Sequence, residues 1–464
     1  MSNDHALERA FAHAQAFLNG LDDRPVCARA TFAELRERLS RALADDGVPG
    51  GRVIDDLVAD TRDGLLASTG GRFFGWVIGG AIPAGVAADW LVAAWDQNAA
   101  MAACSPAAAI VEEVCGGWLR ELLGIPGTAS FGFVTGCQAA HTTALAAARH
   151  KLLADIGWDV ERRGLSGAPP IRIVTSESRH ESLIRSVRLL GLGTDAVTLV
   201  SRDAAGGISL RALESTLSSS DSRPIILCLQ AGDLNTGAFD PFGDAIPLAR
   251  RMGAWVHVDG AFGLWASVSE RYRHLLEGAE LADSWATDGH KWLNLPFDSG
   301  FVFVADPAAH SASLSQEASY AIPVEGVRDE MDWNPEWSRR ARGFAVYATL
   351  RALGKHGLRD LVDRCCAHTR RLVAEVGALD GAEVVAEPII NQGLVRFLGQ
   401  DGDHDAMTDR VTSHIQERGR AWFGGTTWRG RRAMRVSVCS WRTTDRDVET
   451  AVDAVREALA TLRR

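Results

Sequence analysis

The chain has 464 residues, a formal net charge of -10 and 46% hydrophobic residues. That length accommodates about two or three domains, and the acidic balance argues against a nucleic-acid groove, which needs a basic face. Its eight cysteines (Cys27, Cys104, Cys115, Cys137, Cys228, Cys365, Cys366 and Cys439) form no C-x-x-C pair, so neither a zinc ribbon nor a disulfide framework is indicated. Reduced thiols in a cytoplasmic protein are the expectation.

The N-terminus, "MSNDHALERAFAHAQ", is charged and helical in pattern, without the apolar core of a signal peptide. Residues 1–65 are expected to form amphipathic helices, one of them over "TFAELRERLSRALAD" with Thr31 as its N-cap. The stretch Trp76–Trp95 is long enough to cross a bilayer. Its glycines, Pro83 and Asp89, with no basic flank after it, point instead to a buried interface segment.

From Phe131 to Asp306 short apolar runs alternate with helical patterns. The runs are "IRIVTS", "AVTLV", "PIILCLQAG", "WVHVDGA" and "GFVFVAD". That alternation predicts an α/β domain with a mainly parallel sheet. A polar, irregular segment follows Pro307 up to Trp337. The stretch "SRRARGFAVYATLRALGKHG" then predicts a long helix closed by a glycine C-cap. Strand patterns in "LVRFLG" and "MRVSVCSW", and a final amphipathic helix capped by Thr444 or Asp445, complete a smaller α+β domain. The expected division is a helical segment over 1–65, a large α/β domain over 66–345 and a small α+β domain over 346–464.

Three strand-to-helix junctions and one lysine carry the chemistry. In "FGFVTGCQAAHTTALAAARHKLL" a strand ends and a helix begins at Gly136, Cys137 and Gln138. Free backbone N–H groups and the helix dipole make such a junction an anion site, and glycine lets the backbone come close to a phosphate. With no P-loop lysine and no GxGxxG, a nucleotide is not favoured. In "WVHVDGAFG" Asp259 stands at the C-terminal end of a strand, the edge where parallel sheets bind ligands. His180, in "SRHESLIRS", marks a third junction, where an imidazole could stack on a flat ligand. Lys291, in "SWATDGHKWLN", occupies surroundings that look buried, which costs free energy unless the amine is paired or neutral. An anchored phosphate, a stacking ring, a carboxylate for a pyridine nitrogen and a lysine for an aldehyde are together what pyridoxal 5′-phosphate requires.

The chain resembles the group II pyridoxal-phosphate-dependent amino acid decarboxylases, which include aromatic amino acid and glutamate decarboxylases. The resemblance is carried by "RFFGWVIGGAIPAGVAADWL", "FVTGCQAAHTTALAAAR", "SESRHESLIRSVRLLGLG", "AGDLNTGAFDP", "WVHVDGAFG", "DSWATDGHKWLNLPFDSG" and "WNPEWSRRARGFAVYATLRALG", in family order between Gly71 and Gly357. It implies a fold-type I enzyme: a mainly parallel seven-stranded sheet between helices, working as a homodimer with active sites at the subunit interface. It implies Lys291 as the Schiff-base lysine, Asp259 as the pyridinium partner, His180 as the stacking histidine and Ala261 as the small residue under the ring. Gly136, Cys137 and Gln138 match the phosphate turn, and His290 the histidine that contacts the phosphate. Asn235, with Thr236, lies in a loop reaching toward the cofactor. No metal is implied.

The sequence departs from the family at one functional position. Aromatic amino acid decarboxylases carry a loop tyrosine that protonates the carbanion after CO2 leaves. The matching position here falls near Glu330 or Met331, and the chain's three tyrosines are Tyr272, Tyr320 and Tyr347. Without that proton the intermediate can react with oxygen to give an aldehyde and ammonia, unless Glu330 or a histidine of the partner subunit serves. The Asn-Thr-Gly form of "GDLNTGAFDP" also resembles sphingosine-phosphate lyase-like relatives, which leaves carbon–carbon cleavage open. A metal hydrolase built on His257, Asp259 and His290 is the reading from another class, and a non-catalytic binding protein is a further one. Phe73, Phe74, Trp76 and Trp95 suggest an apolar or aromatic substrate side chain.

Overall fold

The structure is a computed structural model that describes residues 5–218, 223–316, 319, 322 and 324–463. Its strands in chain order are β1 (Phe73–Phe74), β2 (Ser130–Val134), β3 (Arg172–Ser176), β4 (Val197–Val200), β5 (Ile225–Gln230), β6 (Trp255–Asp259), β7 (Ser284–Asp288), β8 (Gly300–Val304), β9 (Ala382–Ala386), β10 (Gln392–Phe397), β11 (Trp422–Trp428) and β12 (Arg431–Ser437). Seven of them form one sheet in the order β2-β8-β7-β6-β5-β3-β4. The pairs among β3 to β7 are parallel, and β8 runs antiparallel to both β7 and β2.

Strands β5, β6, β7 and β8 are buried along their whole length, which follows from helices covering both faces of the sheet. On one face lies the helix Cys137–Ala154. Its small residues Ala140, Ala144, Ala147 and Ala148 pack into one apolar cluster with Ile173, Ile226, Ala286 and Val302. The other face is bulky, with Trp265, Trp285, Phe301 and Phe303 buried beneath the helices Pro106–Leu123 and Gly343–Gly377.

Register fixes the site. Gln230 pairs with Asp259, Asp259 with Ala286, and Asp288 with Gly300, which pairs in turn with Val134. The C-terminal ends of β2, β5, β6 and β7 therefore line one edge of the sheet. Asp259, Asp288 and the Gly136 turn arrive there together.

The smaller sheet runs β1-β11-β12-β10-β9, with the helices His404–Arg418 and Asp445–Leu462 packed on it. Two features differ from the sequence reading. The helix expected to stop at Gly357 runs from Gly343 to Gly377, and its break is at Gly354, where φ is 59°. A division at residue 345 therefore falls inside a helix. In addition Phe73–Phe74, from the expected large domain, adds a parallel strand to the smaller sheet against Trp422 and Phe423.

The expected caps form. Thr31 and Glu34 make a reciprocal capping box, as do Thr444 and Asp447. The first of these helices ends early, at Leu39. Trp76–Trp95 resolves into a loop and the helix Pro83–Trp95, which leaves Trp90, Leu91 and Trp95 exposed. No helix among the described residues is long and apolar enough to cross a membrane.

Candidate active site

Lys291 follows β7 in a tight turn. Its Nζ lies 2.9 Å from Oδ2 of Asp288, and its side chain is 23% exposed. Burial works against the ammonium form, yet Asp288 outweighs it and the lysine pKa stands above its ordinary value. The other oxygen of Asp288 accepts the Cys137 backbone N–H at 2.6 Å and lies 3.5 Å from His290 Nε2. One buried carboxylate thus ties the lysine turn to the start of the helix Cys137–Ala154. Nothing in the sequence reading singled out Asp288; its place at the end of a strand, three residues before Lys291, was the available signal.

The turn at Gly136 is built for close approach. Gly136 caps its helix with no side-chain hydrogen bond of its own; Asp288 takes the Cys137 N–H, which leaves the next first-turn N–H groups open. A Cβ on Gly136 would meet His290 Cε1 at 3.1 Å and Asp288 Oδ1 at 3.2 Å. The His290 ring stacks on Phe297 with centroids 4.3 Å apart, and its Nδ1 accepts the Ser299 N–H at 3.2 Å. Gln138 gives its carbonyl to Thr142 and Ser186.

Asp259 ends β6, buried. Its Oδ1 accepts the Ala261 N–H at 3.2 Å, and Cys137 Sγ stands 3.8 Å from the same atom. Its Oδ2 lies 3.4 Å from His141 Nε2. Burial alone would raise the carboxyl's pKa; His141 first, then His180 and Lys291, outweigh it and hold Asp259 well below the usual carboxylate range. Burial pushes the Cys137 thiol well up, so it stays protonated. His180 caps the helix Glu181–Leu189, accepting the Ser182 N–H at 3.2 Å, and is exposed. Partial desolvation lowers its pKa, and the groups acting on it are Asp259, Lys291, His141 and Asp288.

The structure therefore brings together Lys291, Asp259, His180, His290, Ala261, Gly136 and Cys137. His141 and Asp288 join them unpredicted. Asn235 is engaged elsewhere: its N–H goes to Asp233, and its Oδ1 accepts the Thr426 hydroxyl at 2.9 Å. Thr236 is buried against Asp233. The trio His257, Asp259 and His290 does not assemble, because His257 turns to His141. Among the described residues the group within metal-ligand reach is Cys137, His141 and Asp259, and its thiol is protonated.

A loop and the smaller sheet close in behind Lys291. Asn294, with φ of 56°, accepts N–H groups from Gly80 at 2.8 Å and Trp441 at 2.9 Å, and donates to the carbonyls of Trp292 and Cys439. Gly79 sits so close that a Cβ there would lie 2.1 Å from the Lys291 carbonyl. Trp76 and Val77, just upstream, hold φ of 51° and 114°, a costly conformation for a β-branched residue. Phe73 and Phe74 do not line this space. They are fully buried and stacked on Trp422 and Phe423. Trp76 remains half exposed beside Trp422. The Arg435 guanidinium on β12 makes no hydrogen bond or ion pair among the described residues; burial brings its pKa down to about 10 while Asp233 draws it up.

Glu330 is engaged away from the role considered for it. It is buried and held by Arg328 through Nε at 2.9 Å and Nη2 at 2.6 Å, and Arg328 also binds the Phe131 carbonyl near the start of β2, away from Gly136. Tyr320 lies outside the described residues.

A doubly covered, mainly parallel sheet with a half-buried lysine after one strand, a carboxylate at a neighbouring strand end and a glycine turn at a helix start fits a pyridoxal-phosphate-binding enzyme. The model of the pyridoxal-dependent decarboxylase conserved domain matches residues 37–398, and the chain belongs to that family. It is 29% identical over 386 residues to L-2,4-diaminobutyrate decarboxylase of Rhizobium meliloti (strain 1021), covering 81% of this chain and 75% of that protein. It is 25% identical over 444 residues to aromatic-L-amino-acid decarboxylase of Bacillus atrophaeus, covering 93% and 90%. The solved structure of Oryza sativa TDC with PLP and tryptamine superposes with a TM-score of 0.94 at 22% identity, over 100% of this chain and 99% of that one. The protein is a pyridoxal-phosphate-dependent amino acid carboxy-lyase of fold-type I.

Proposed function

We propose that the enzyme decarboxylates an L-amino acid with an apolar or aromatic side chain, releasing CO2 and the amine, as a cytoplasmic homodimer. The substrate reading is supported by two exposed aromatic side chains: Trp76, three residues before the Gly79 that abuts the Lys291 carbonyl, and Phe297, stacked on His290.

Pyridoxal phosphate supplies an aldehyde that bonds amines and a protonated ring that withdraws electrons from Cα. The chain's own residues do the rest. Lys291 Nζ would hold the aldehyde carbon of the bound cofactor. The first-turn N–H groups beyond Cys137, with His290, would hold the phosphate. Asp259 would hold a proton on the ring nitrogen, and His180 would pack against the ring. The Cα–carboxylate bond breaks with its electron pair left at Cα, and a proton must then reach Cα.

A second reading is favoured by Glu330, whose pairing with Arg328 removes the candidate acid. Oxygen would then take two electrons and become hydrogen peroxide, and one water would hydrolyse the resulting imine, giving aldehyde, CO2 and ammonia.

The dimer is supported by apolar surface that the described residues leave exposed. The helices Ala6–Asn19 and Phe32–Leu39 bury no residue, and Trp90, Leu91, Trp95, Ile110 and Val114 are exposed. Cofactor-loaded protein offered a panel of L-amino acids, scored together for amine, CO2, ammonia and oxygen uptake, tests the reading. CO2 with the matching aromatic amine supports it. Turnover confined to acidic or basic amino acids refutes the substrate class. Ammonia with oxygen uptake establishes the oxidative route. Lys291→Ala should abolish the visible absorbance of the attached cofactor; persistence of the band would sink the lysine assignment.

A further inference from the structure

A file of polar side chains runs through the apolar face under the helix Cys137–Ala154. Trp255, His257 and Asp259 alternate along β6 and so share one face of the sheet. Ser284 is the register partner of His257 on β7, and His141 hangs from the helix above. Ser284, His257 and His141 are fully buried, and their neighbours Val134, Ala144, Ile226 and Ala286 are apolar. Polar atoms in such a place cost free energy unless every one is satisfied, and packing gives no reason for them.

The hydrogen bonds have a fixed direction. The Trp255 indole N–H can only donate, and it donates to Ser284 Oγ at 2.9 Å. The Ser284 hydroxyl hydrogen is thereby turned toward His257 Nδ1, also at 2.9 Å. A neutral His257 then carries its proton on Nε2, which faces His141 Nδ1 at 2.9 Å. Burial lowers the His257 pKa to about 3, in keeping with a neutral ring. His141 in turn carries its proton on Nε2, which lies 3.4 Å from Asp259 Oδ2 and 3.4 Å from the protonated Cys137 thiol.

We propose that Ser284, His257 and His141 are positioning residues that deliver one N–H to the rear of Asp259 and so keep the proton of the Asp259–cofactor pair on the ring nitrogen. The proposal rests on the reading that Asp259 faces that nitrogen. A carboxylate that accepts a donor from behind is a weaker base toward what lies in front. Without the donor, Asp259 becomes more basic and draws the proton off the ring.

The test uses the holoenzyme reconstituted with pyridoxal 5′-phosphate. The readout is the downfield proton resonance of the ring nitrogen, in wild type, His141→Phe, Ser284→Ala and Asp259→Ala. In His141→Phe the cofactor should stay attached to Lys291, the resonance should move upfield or vanish, and kcat should fall by about 10- to 100-fold with little change in KM, the scale on which lost outer-shell partners act. Ser284→Ala, one oxygen smaller, should shift the resonance the same way by less, and Ser284→Thr should restore it. Ser284→Ala also carries the test should His141→Phe fail to fold. An unmoved resonance in the folded His141 or Ser284 variant, with a lost resonance in Asp259→Ala, overturns the proposal alone. An unmoved resonance in Asp259→Ala overturns the reading beneath it as well.

Discussion

Replacing Asp288 by Asn tests whether this carboxylate sets the charge state of Lys291. In the native protein the Lys291 Nζ to Asp288 Oδ2 distance is 2.9 Å, the carboxylate is almost wholly buried, and it is the principal group raising the lysine pKa against burial. A charge-assisted bond of this kind contributes about 1.5–3 kcal/mol. At about 1.4 kcal/mol per factor of ten, its loss raises the neutral-to-charged ratio of the amine by roughly tenfold to a hundredfold. Asn keeps an oxygen for the Cys137 N–H, so the helix start should hold its place. The neutral amine is the nucleophile. The apo variant should therefore capture pyridoxal phosphate faster than wild type at neutral pH, with the advantage shrinking as pH rises. The assay is stopped-flow absorbance of cofactor capture across pH, with borohydride trapping and peptide mass spectrometry to confirm Lys291. A pH profile that coincides with that of wild type would refute the reasoning.

Three further perturbations follow from the same geometry. Arg339 and Glu112 are fully buried at 2.9 Å, and Arg339 also binds the Phe133 carbonyl. Burial already raises the Glu112 pKa to about 8, so Arg339→Met leaves a carboxyl that takes up a proton, and should cost about 1–3 kcal/mol for the unsatisfied polar groups; the double variant with Glu112→Met should recover part of it in denaturant melts, and no recovery would show that the loss lies in packing. His257 and His310 are buried with pKa values lowered to about 3, so the unfolded chain binds more protons than the native one between about pH 6.5 and 3. Stability should fall as pH falls through that window, by at most about 4–5 kcal/mol per histidine, and His257→Gln should flatten the slope in melts at pH 7, 6 and 5. Gly136→Ala places a methyl 3.1 Å from His290 and 3.2 Å from Asp288, where the phosphate turn must stay open. It should weaken cofactor affinity with little change in melting temperature, as measured by fluorescence titration.

The sequence by itself determined the alternation of strands and helices. It also marked Lys291, Asp259, His180 and the Gly136 turn, because each stands at a strand end, where local pattern and ligand chemistry coincide. The capping boxes at Thr31 and Thr444 were legible for the same local reason. Only the tertiary structure decided what depends on neighbours across the sheet. Phe73 and Phe74 look like pocket residues in one dimension but are core, because they pair with Trp422 and Phe423 some 350 positions away. Glu330 looks like a free acid until Arg328 closes on it. Asp288 and His141 carry no motif of their own. Their importance arises because register brings the ends of β6 and β7 level and lays an alanine-rich helix close above them. A side chain's chemistry is set by what desolvates it and what it pairs with, and for these residues both partners come from distant parts of the chain.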